Sequence, residues 1–256
     1  MKGTGKRIAA GSEQDQREWN RKAALEWART LAVALALFFL ILRPFVLQGY
    51  YVPTGSMEDN ILIGDVLLVE KLSFGGMSPH SLPLTGKEIP SFHMPGLSEP
   101  ERGEIIVFEP YFDRSVPYVK RCMAVGGDTV EMRDKVLYVN GVRQDELYVR
   151  HSDPSVQRAG RDLPHSRAEF GWQAVFLADQ DGSGESYCPT RDNFGPLAVP
   201  TGAYFCLGDN RDDSFDSRYW GFVERKYVLG RPLLTYFSWN EKLLFPRFDR
   251  IGRIIQ

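Results

Sequence analysis

Chemistry in this chain can begin at Ser56. It lies in Val52-Pro53-Thr54-Gly55-Ser56-Met57, where proline and glycine fold a serine into a tight turn. Such a turn exposes the hydroxyl and can aim backbone N–H groups at one point. Alone, Pro-Thr-Gly-Ser is ordinary turn chemistry. A serine becomes a nucleophile only beside a base. The four histidines, His80, His93, His151 and His165, all fall in polar, loop-like stretches and read as solvated groups. They show no HxxxH metal-ligand spacing. A serine triad is recognised by geometry rather than order, so the histidines stay in view as bases.

A second candidate base is Lys120, in the run PYVKRCMAVGGD (117–128). Lys120 and Arg121 interrupt an apolar strand. Successive side chains of a strand face opposite ways, so one of the two is expected in solvent and the other inward or in a cleft. A lysine ammonium in water titrates near about 10.4 and is no base at neutral pH; desolvation lowers that value and frees the amine. The bland alternative is an edge strand with two snorkelling cations. A third motif, GDNRDDSFDSRYWG (208–221), is dominated by Asp, Asn, Arg and Ser. Arg211 stands where a calcium loop needs a ligand. Paired Asp and Arg with hydroxyls suit a rigid loop that orients a catalytic group, and Phe215, Tyr219 and Trp220 argue that part of it packs inward.

These residues need elements to hold them. Short runs rich in Val, Ile, Leu, Tyr and Phe recur between turn residues: ILIGDVLLVEK, EIIVFEP, YVKRCMAVGG, TVEMRDKVLYVNG, AYFCLGDN and YVLGRPLLTYF. They predict an all-β domain of Greek-key or barrel type, with an Asn-Gly hairpin at Val139-Asn140-Gly141-Val142. Residues 73–101 read as a long loop and 150–190 as a polar insertion. Trp239, Phe237 and Phe245 read as core residues, with the lipid interface as the alternative. No internal repeat, heptad or phosphate-binding glycine motif is present. Cys122, Cys188 and Cys206 form no CxxC pair, against zinc-ribbon and thioredoxin-like sites. An odd count leaves one cysteine unpaired in the chain. One disulfide is compatible with the count, and spacing does not select its pair. Cys122 and Cys206 sit in apolar runs and read as buried small residues. With 31 Lys and Arg against 33 Asp and Glu, nucleic acid is not an expected partner.

The amino-terminal part departs from a soluble pattern. TLAVALALFFLIL (30–42) is uncharged, short against the roughly 20 residues of a span. Adding 45–47 and letting Arg43 snorkel brings 30–47 to the lower limit. Trp27 on one side and Tyr50 and Tyr51 on the other suit the two interfaces. Lys2, Lys6, Arg7, Arg17, Arg21, Lys22 and Arg29 precede the run, and no Lys or Arg follows between Pro44 and Glu70. Positive-inside bias then puts 1–29 in the cytoplasm and 48–256 outside it. A cleaved signal sequence lacks its small-x-small site here; a buried core helix is the remaining alternative.

Taken together and in this order, the motifs resemble bacterial type I signal peptidase, a Ser–Lys endopeptidase. PTGSM resembles the family's nucleophile box, RGEIIVFEP (102–110) its next box, YVKR with GGD its lysine box, and GDNRDDSFDSRYWGFV (208–223) its last. The resemblance implies Ser56 as nucleophile and Lys120 as general base. It implies Thr54 hydroxyl with Ser56 N–H as oxyanion hole, Ser214 orienting the lysine, and Asp216 with Arg218 as a supporting pair. Val52, Ile61 and Val119 would wall pockets for small side chains. The implied fold is mainly β, a β-rich catalytic core with a smaller β cap (about 143–195) after one transmembrane helix. The implied partners are signal peptides of exported preproteins and the lipid bilayer, with no metal or cofactor. The family often has proline shortly after Ser-Met, where this chain reads Glu58-Asp59-Asn60, which leaves the local turn open. The rival readings are a self-cleaving Ser–Lys repressor relative and a catalytically dead, membrane-tethered β-domain.

Overall fold

The computed structural model describes residues 4–77, 87, 90, 92–158, 169–178 and 187–256. His80 and His165 lie outside these residues, as do parts of the 73–101 loop and the 150–190 insertion. The chain divides into two units, Met1–Pro44 and Phe45–Gln256.

The first unit is helical. An α-helix, Thr4–Leu37, continues through a π-helical turn, Phe38–Leu42, into Arg43–Phe45. Pro44 explains the widened turn. Its ring crowds the carbonyl four residues back and it has no N–H to donate, so the ladder shifts to Arg43 N–H bonding Phe38 O. The stretch Glu18–Phe45 is long and apolar enough to cross a membrane, and none of its most apolar window is buried. At 1.5 Å per residue it measures roughly 42 Å, against about 30 Å of hydrocarbon. The helix is thus longer than the apolar run alone predicts, because the Ala-, Glu- and Arg-rich residues before it are strong helix formers. It also ends earlier. Leu47 opens a strand, and Tyr50 and Tyr51 lie in it.

The second unit is mainly β. Its strands are β1 (Leu47–Tyr51), β2 (Asp65–Glu70), β3 (Ile105–Phe108), β4 (Tyr118–Val125), β5 (Thr129–Arg133), β6 (Val136–Val139), β7 (Val142–Arg143), β8 (Phe194–Ala198), β9 (Ala203–Leu207), β10 (Val223–Glu224), β11 (Val228–Asn240), β12 (Phe245–Pro246) and β13 (Arg253–Ile254). The larger sheet runs β1-β2-β11-β3-β4-β9-β10, with β12 and β13 also pairing β11, and the smaller runs β7-β6-β5-β8. Every named pairing is antiparallel. Each of the six predicted runs carries a strand. The Asn-Gly turn joins β6 to β7 with Asn140 at φ 53° and Gly141 at φ 73°, the left-handed pair such a turn requires.

The position of β4 matters most for function. It lies between β3 and β9, and both of its faces are covered. One apolar cluster contains Ile106, Phe108, Cys122, Cys206 and Trp220; others contain Val52, Met57, Ile61, Ile105 and Val107, and Met123, Val130, Leu197 and Phe205. The expectation that one of Lys120 and Arg121 reaches solvent is therefore not met. Lys120 is 3% exposed and Arg121 4%. Phe237 and Phe245 correct another expectation. Both are exposed rather than core: Phe237 on β11 and Phe245 on β12 belong to none of the three apolar clusters.

Candidate active site

Ser56 stands in the turn between β1 and β2. Glu58 N–H donates to Gly55 O at 3.0 Å and Ile61 N–H to Met57 O at 2.8 Å, so the chain coils immediately after the serine. Asp59 completes the coil at φ 80°, left-handed space that Asp tolerates and proline's ring forbids. The residue that departs from the family pattern thus sits where this turn excludes proline. Met57 and Ile61 drop into the apolar cluster below and anchor the turn to β2.

Ser56 itself is 7% exposed. Its Oγ accepts a hydrogen bond from Lys120 Nζ at 2.5 Å. Two residues 64 apart in sequence and on different elements are brought within proton-transfer reach. Burial, above all, pulls the Lys120 amine down to about 8, while the Asp216 charge pulls the other way. A lysine so placed is partly neutral near physiological pH and can accept a proton from the hydroxyl it touches. His93 instead bonds Val228 O through Nε2 at 3.0 Å, and His151 lies 3.7 Å from Asp212.

The polar motif that follows β9 wraps this pair from behind. Asn210 N–H donates to Ser56 O at 3.0 Å, and its side-chain amide to Gly55 O at 3.2 Å. Ser56 N–H donates to no acceptor among the described residues, which leaves it available to a substrate. Gly208 is obligatory for close approach: a Cβ there would lie 2.3 Å from Ser214 Oγ and 2.5 Å from Ser56 O. Asp216 and Arg218, both fully buried, pair twice at 2.8 Å. Burial pushes the Asp216 carboxyl up, but the Arg218 charge and the Arg218 and Gly208 N–H groups outweigh it and hold it below the ordinary carboxylate range. Ser214 Oγ is buried and makes no hydrogen bond of good geometry, though it lies near enough to Asp216 to help keep that carboxyl ionised. Thr54 is exposed at the rim. Val52 and Ile61 share one buried cluster, with Val119 packed against it. Ile61 is fully buried, so any pocket here is shallow.

Three residues that hold the site escaped the sequence reading. Arg121, on the face of β4 opposite Lys120, pairs with buried Asp209 at 2.8 and 2.9 Å. Asn60 donates to the same carboxylate at 2.9 Å. Arg250 grips Asp65 and reaches Asn60 O at 3.0 Å. The Lys-Arg pair in an apolar strand was read as sending one cation to solvent, so nothing in the sequence pointed to the inward partner of Arg121. Phe215 was expected inside; it is half exposed and lies edge-on to Phe112, while Trp220 is buried as expected.

Against known families, residues 24–237 match the model of "Signal peptidase, peptidase S26". The chain belongs to the signal peptidase family. It is 31% identical over 228 residues to a signal peptidase I of Pseudomonas aeruginosa, covering 84% of this chain and 74% of that one. It is 35% identical over 234 residues to a signal peptidase I of Rickettsia typhi, covering 88% and 84%. A solved signal peptidase I from Enterococcus faecalis is 31% identical over 53% of this chain, with a TM-score of 0.34. Membership in the signal peptidase family makes the chain a serine peptidase, a hydrolase of peptide bonds. Among the described residues no group of three His, Cys, Asp or Glu could hold a metal ion.

Proposed function

We propose that this chain is a membrane-anchored endopeptidase that removes signal peptides from exported preproteins through a Ser56–Lys120 dyad. The observation that carries the proposal is the 2.5 Å contact between Lys120 Nζ and Ser56 Oγ inside a desolvated site. Neutral Lys120 takes the Ser56 proton as Oγ attacks the scissile carbonyl. Ser56 N–H and Thr54 hydroxyl stabilise the oxyanion, each such donor typically worth roughly 3 kcal/mol. The protonated lysine gives its proton to the leaving amine, and the acyl-enzyme is then opened by water that Lys120 deprotonates. Ser214 and the Asp216–Arg218 pair fix the lysine's surroundings. Val52, Ile61 and Val119 offer room only for small side chains of the substrate.

The helix 18–45 is the anchor. The seven Lys and Arg before residue 30 favour a cytoplasmic amino terminus and an extracytoplasmic peptidase domain from residue 48 onward. The 143–195 stretch, read from the sequence as a cap or insertion, lies partly outside the described residues. Cleavage of a purified preprotein by the wild type, Ser56→Ala and Lys120→Ala tests the dyad. Both variants are expected to fall to background, and equal activity in all three would sink it. An alkaline carbonate wash tests the anchor, which fails if the protein is released.

A further inference from the structure

Two buried thiols that the Ser56–Lys120 chemistry does not use face each other across β4 and β9. Cys122 and Cys206 are directly opposed in antiparallel register. Both are fully buried and free of any disulfide. Cys122 N–H donates to Glu104 O at 2.8 Å, and its carbonyl accepts from Gly103 N–H at 2.7 Å. Both groups therefore point toward the β3 side, away from β9. Cys206 N–H turns away from β4 as well, to Ser217 Oγ at 2.9 Å. The two cysteines thus form a non-hydrogen-bonded cross-strand pair, the arrangement that brings opposed Cα atoms to about 4.5 Å and side chains closest. Disulfides span Cα separations of about 4.4–6.8 Å, a range that a pair of this kind falls within, and the register shift in β4 comes only after Cys122. Burial, with the Cys122 side chain bonding to it, keeps the Cys206 thiol protonated. It is therefore slow to react with bulky reagents in the native state.

We propose that Cys122 and Cys206 are a covalent modification site, closing into a disulfide that ties β4 to β9 while Cys188 stays the odd thiol. Each thiol gives up its S–H hydrogen and one S–S bond forms. The two protons and two electrons pass to a small oxidant, either a disulfide cleaved to two thiols or an azo compound reduced to its hydrazine. Oxidation proceeds during folding or when the strands open; burial then shields the bond. The consequence is local. Cys122 lies two residues from Lys120, on the same face of β4, and β9 runs directly into the 208–221 motif. The bond pins the strand bearing Lys120 to the strand leading to Ser214 and Asp216. Thiols and disulfide are both uncharged, so the charge around Lys120 is the same in either state. Turnover at ambient temperature is unchanged, and resistance to unfolding rises because a long loop of the unfolded chain is closed.

The test uses the full chain in detergent, reduced and then incubated with diamide at stepped temperatures. Free thiols are alkylated in denaturant, and digests are mass-mapped with and without reductant. The expected result is a Cys122–Cys206 peptide pair two hydrogens lighter than its reduced parts, with Cys188 alkylated. The half-life of activity at elevated temperature should lengthen several-fold on oxidation, and not in Cys206→Ala. Alkylation of both Cys122 and Cys206 throughout, or a link from either to Cys188, overturns the site. A correct link with unchanged half-life overturns the clamp. The mass map reads sulfur alone, so it stands whether or not signal peptides are cleaved, and it decides the site even if the variant fails to fold.

Discussion

At the scale of single residues, the site turns on whether Lys120 carries a proton. Burial pushes its amine down to about 8, and in the proposed mechanism the neutral form is the base. Below that pH the neutral fraction falls tenfold per unit, so kcat/KM on a peptide substrate should rise about tenfold per pH unit up to about 8 and then level. Lys120→Arg should show no such rise and no activity, because a guanidinium holds its proton beyond pH 12 or so. A profile flat from pH 6 to 9 would remove Lys120 as base. The same shift has a stability counterpart. The unfolded chain keeps this proton up to about 10.4, whereas the folded chain releases it near about 8. The unfolded state therefore binds more protons between those values, and stability rises with pH across that window. Below it, folding carries the cost of a buried charge. Lys120→Met should unfold at higher denaturant than the wild type at pH 7, by an amount of order 1–3 kcal/mol. The gap should narrow by pH 10. Asp59 makes a separate residue-scale prediction. At φ 80°, Asp59→Gly should be neutral or stabilise by up to about 1 kcal/mol. Asp59→Pro should cost about 3 kcal/mol or more and lose activity through the displaced turn. Equal melting of the two variants would contradict that backbone.

At the scale of elements, the nucleophile turn is held by ion pairs that come from far along the chain. Arg121 on β4 and Asp209 after β9 pair inside the protein, and Asn60 shares the carboxylate. Removing one partner leaves a buried charge uncompensated, a loss of roughly 3–5 kcal/mol. Arg121→Met should therefore destabilise strongly, and Arg121→Met with Asp209→Leu should recover much of the loss in a urea melt. If the double variant is no better than the single, the pair is not the source of the effect. In the recovered double variant the turn would still lack Asp209's hold on Asn60, so cleavage should stay impaired even where stability returns. This arrangement marks the boundary of what the sequence discloses. The strands were legible, because runs such as EIIVFEP and AYFCLGDN carry their own propensity and are cut by turn residues. Ser56, Lys120 and the 208–221 motif could be picked out as one candidate site from residue type and order, and the structure brings them together. The partner of Arg121 was not, because nothing local links residue 121 to 209; register across β4 and β9 does. Nor was β1 legible, since Leu47–Tyr51 follows an apolar run and reads as its continuation until β2 is there to pair with it.

At the scale of the whole molecule, the exposed face of β11 and its β12 hairpin needs an explanation. Tyr236, Phe237, Leu243, Leu244, Phe245 and Phe248 are all exposed, Leu244 at 73% and Phe248 at 65%. The rings of Phe245 and Phe248 lie edge-to-face at 5.7 Å, and Phe237 stacks on Trp239 at 6.5 Å. A monomer in water gains nothing by displaying such a surface, and its composition, aromatic rings with Lys242 and Arg247 beside them, suits a bilayer interface. The peptidase unit should therefore bind lipid on its own. A chain beginning at Phe45, which retains all three apolar clusters, should stay folded and sediment with anionic vesicles. Phe245→Ser with Phe248→Ser should cut its vesicle partition by about tenfold or more, since each lost side chain removes roughly 1.5 kcal/mol of apolar burial. Cleavage of a short soluble peptide should be unchanged by that pair of substitutions, because neither ring belongs to the apolar cluster that anchors the Ser56 turn, whereas cleavage of a vesicle-embedded preprotein should fall. Loss of both activities together would mean that the hairpin supports the fold, and unchanged partition would mean that the helix alone meets the lipid.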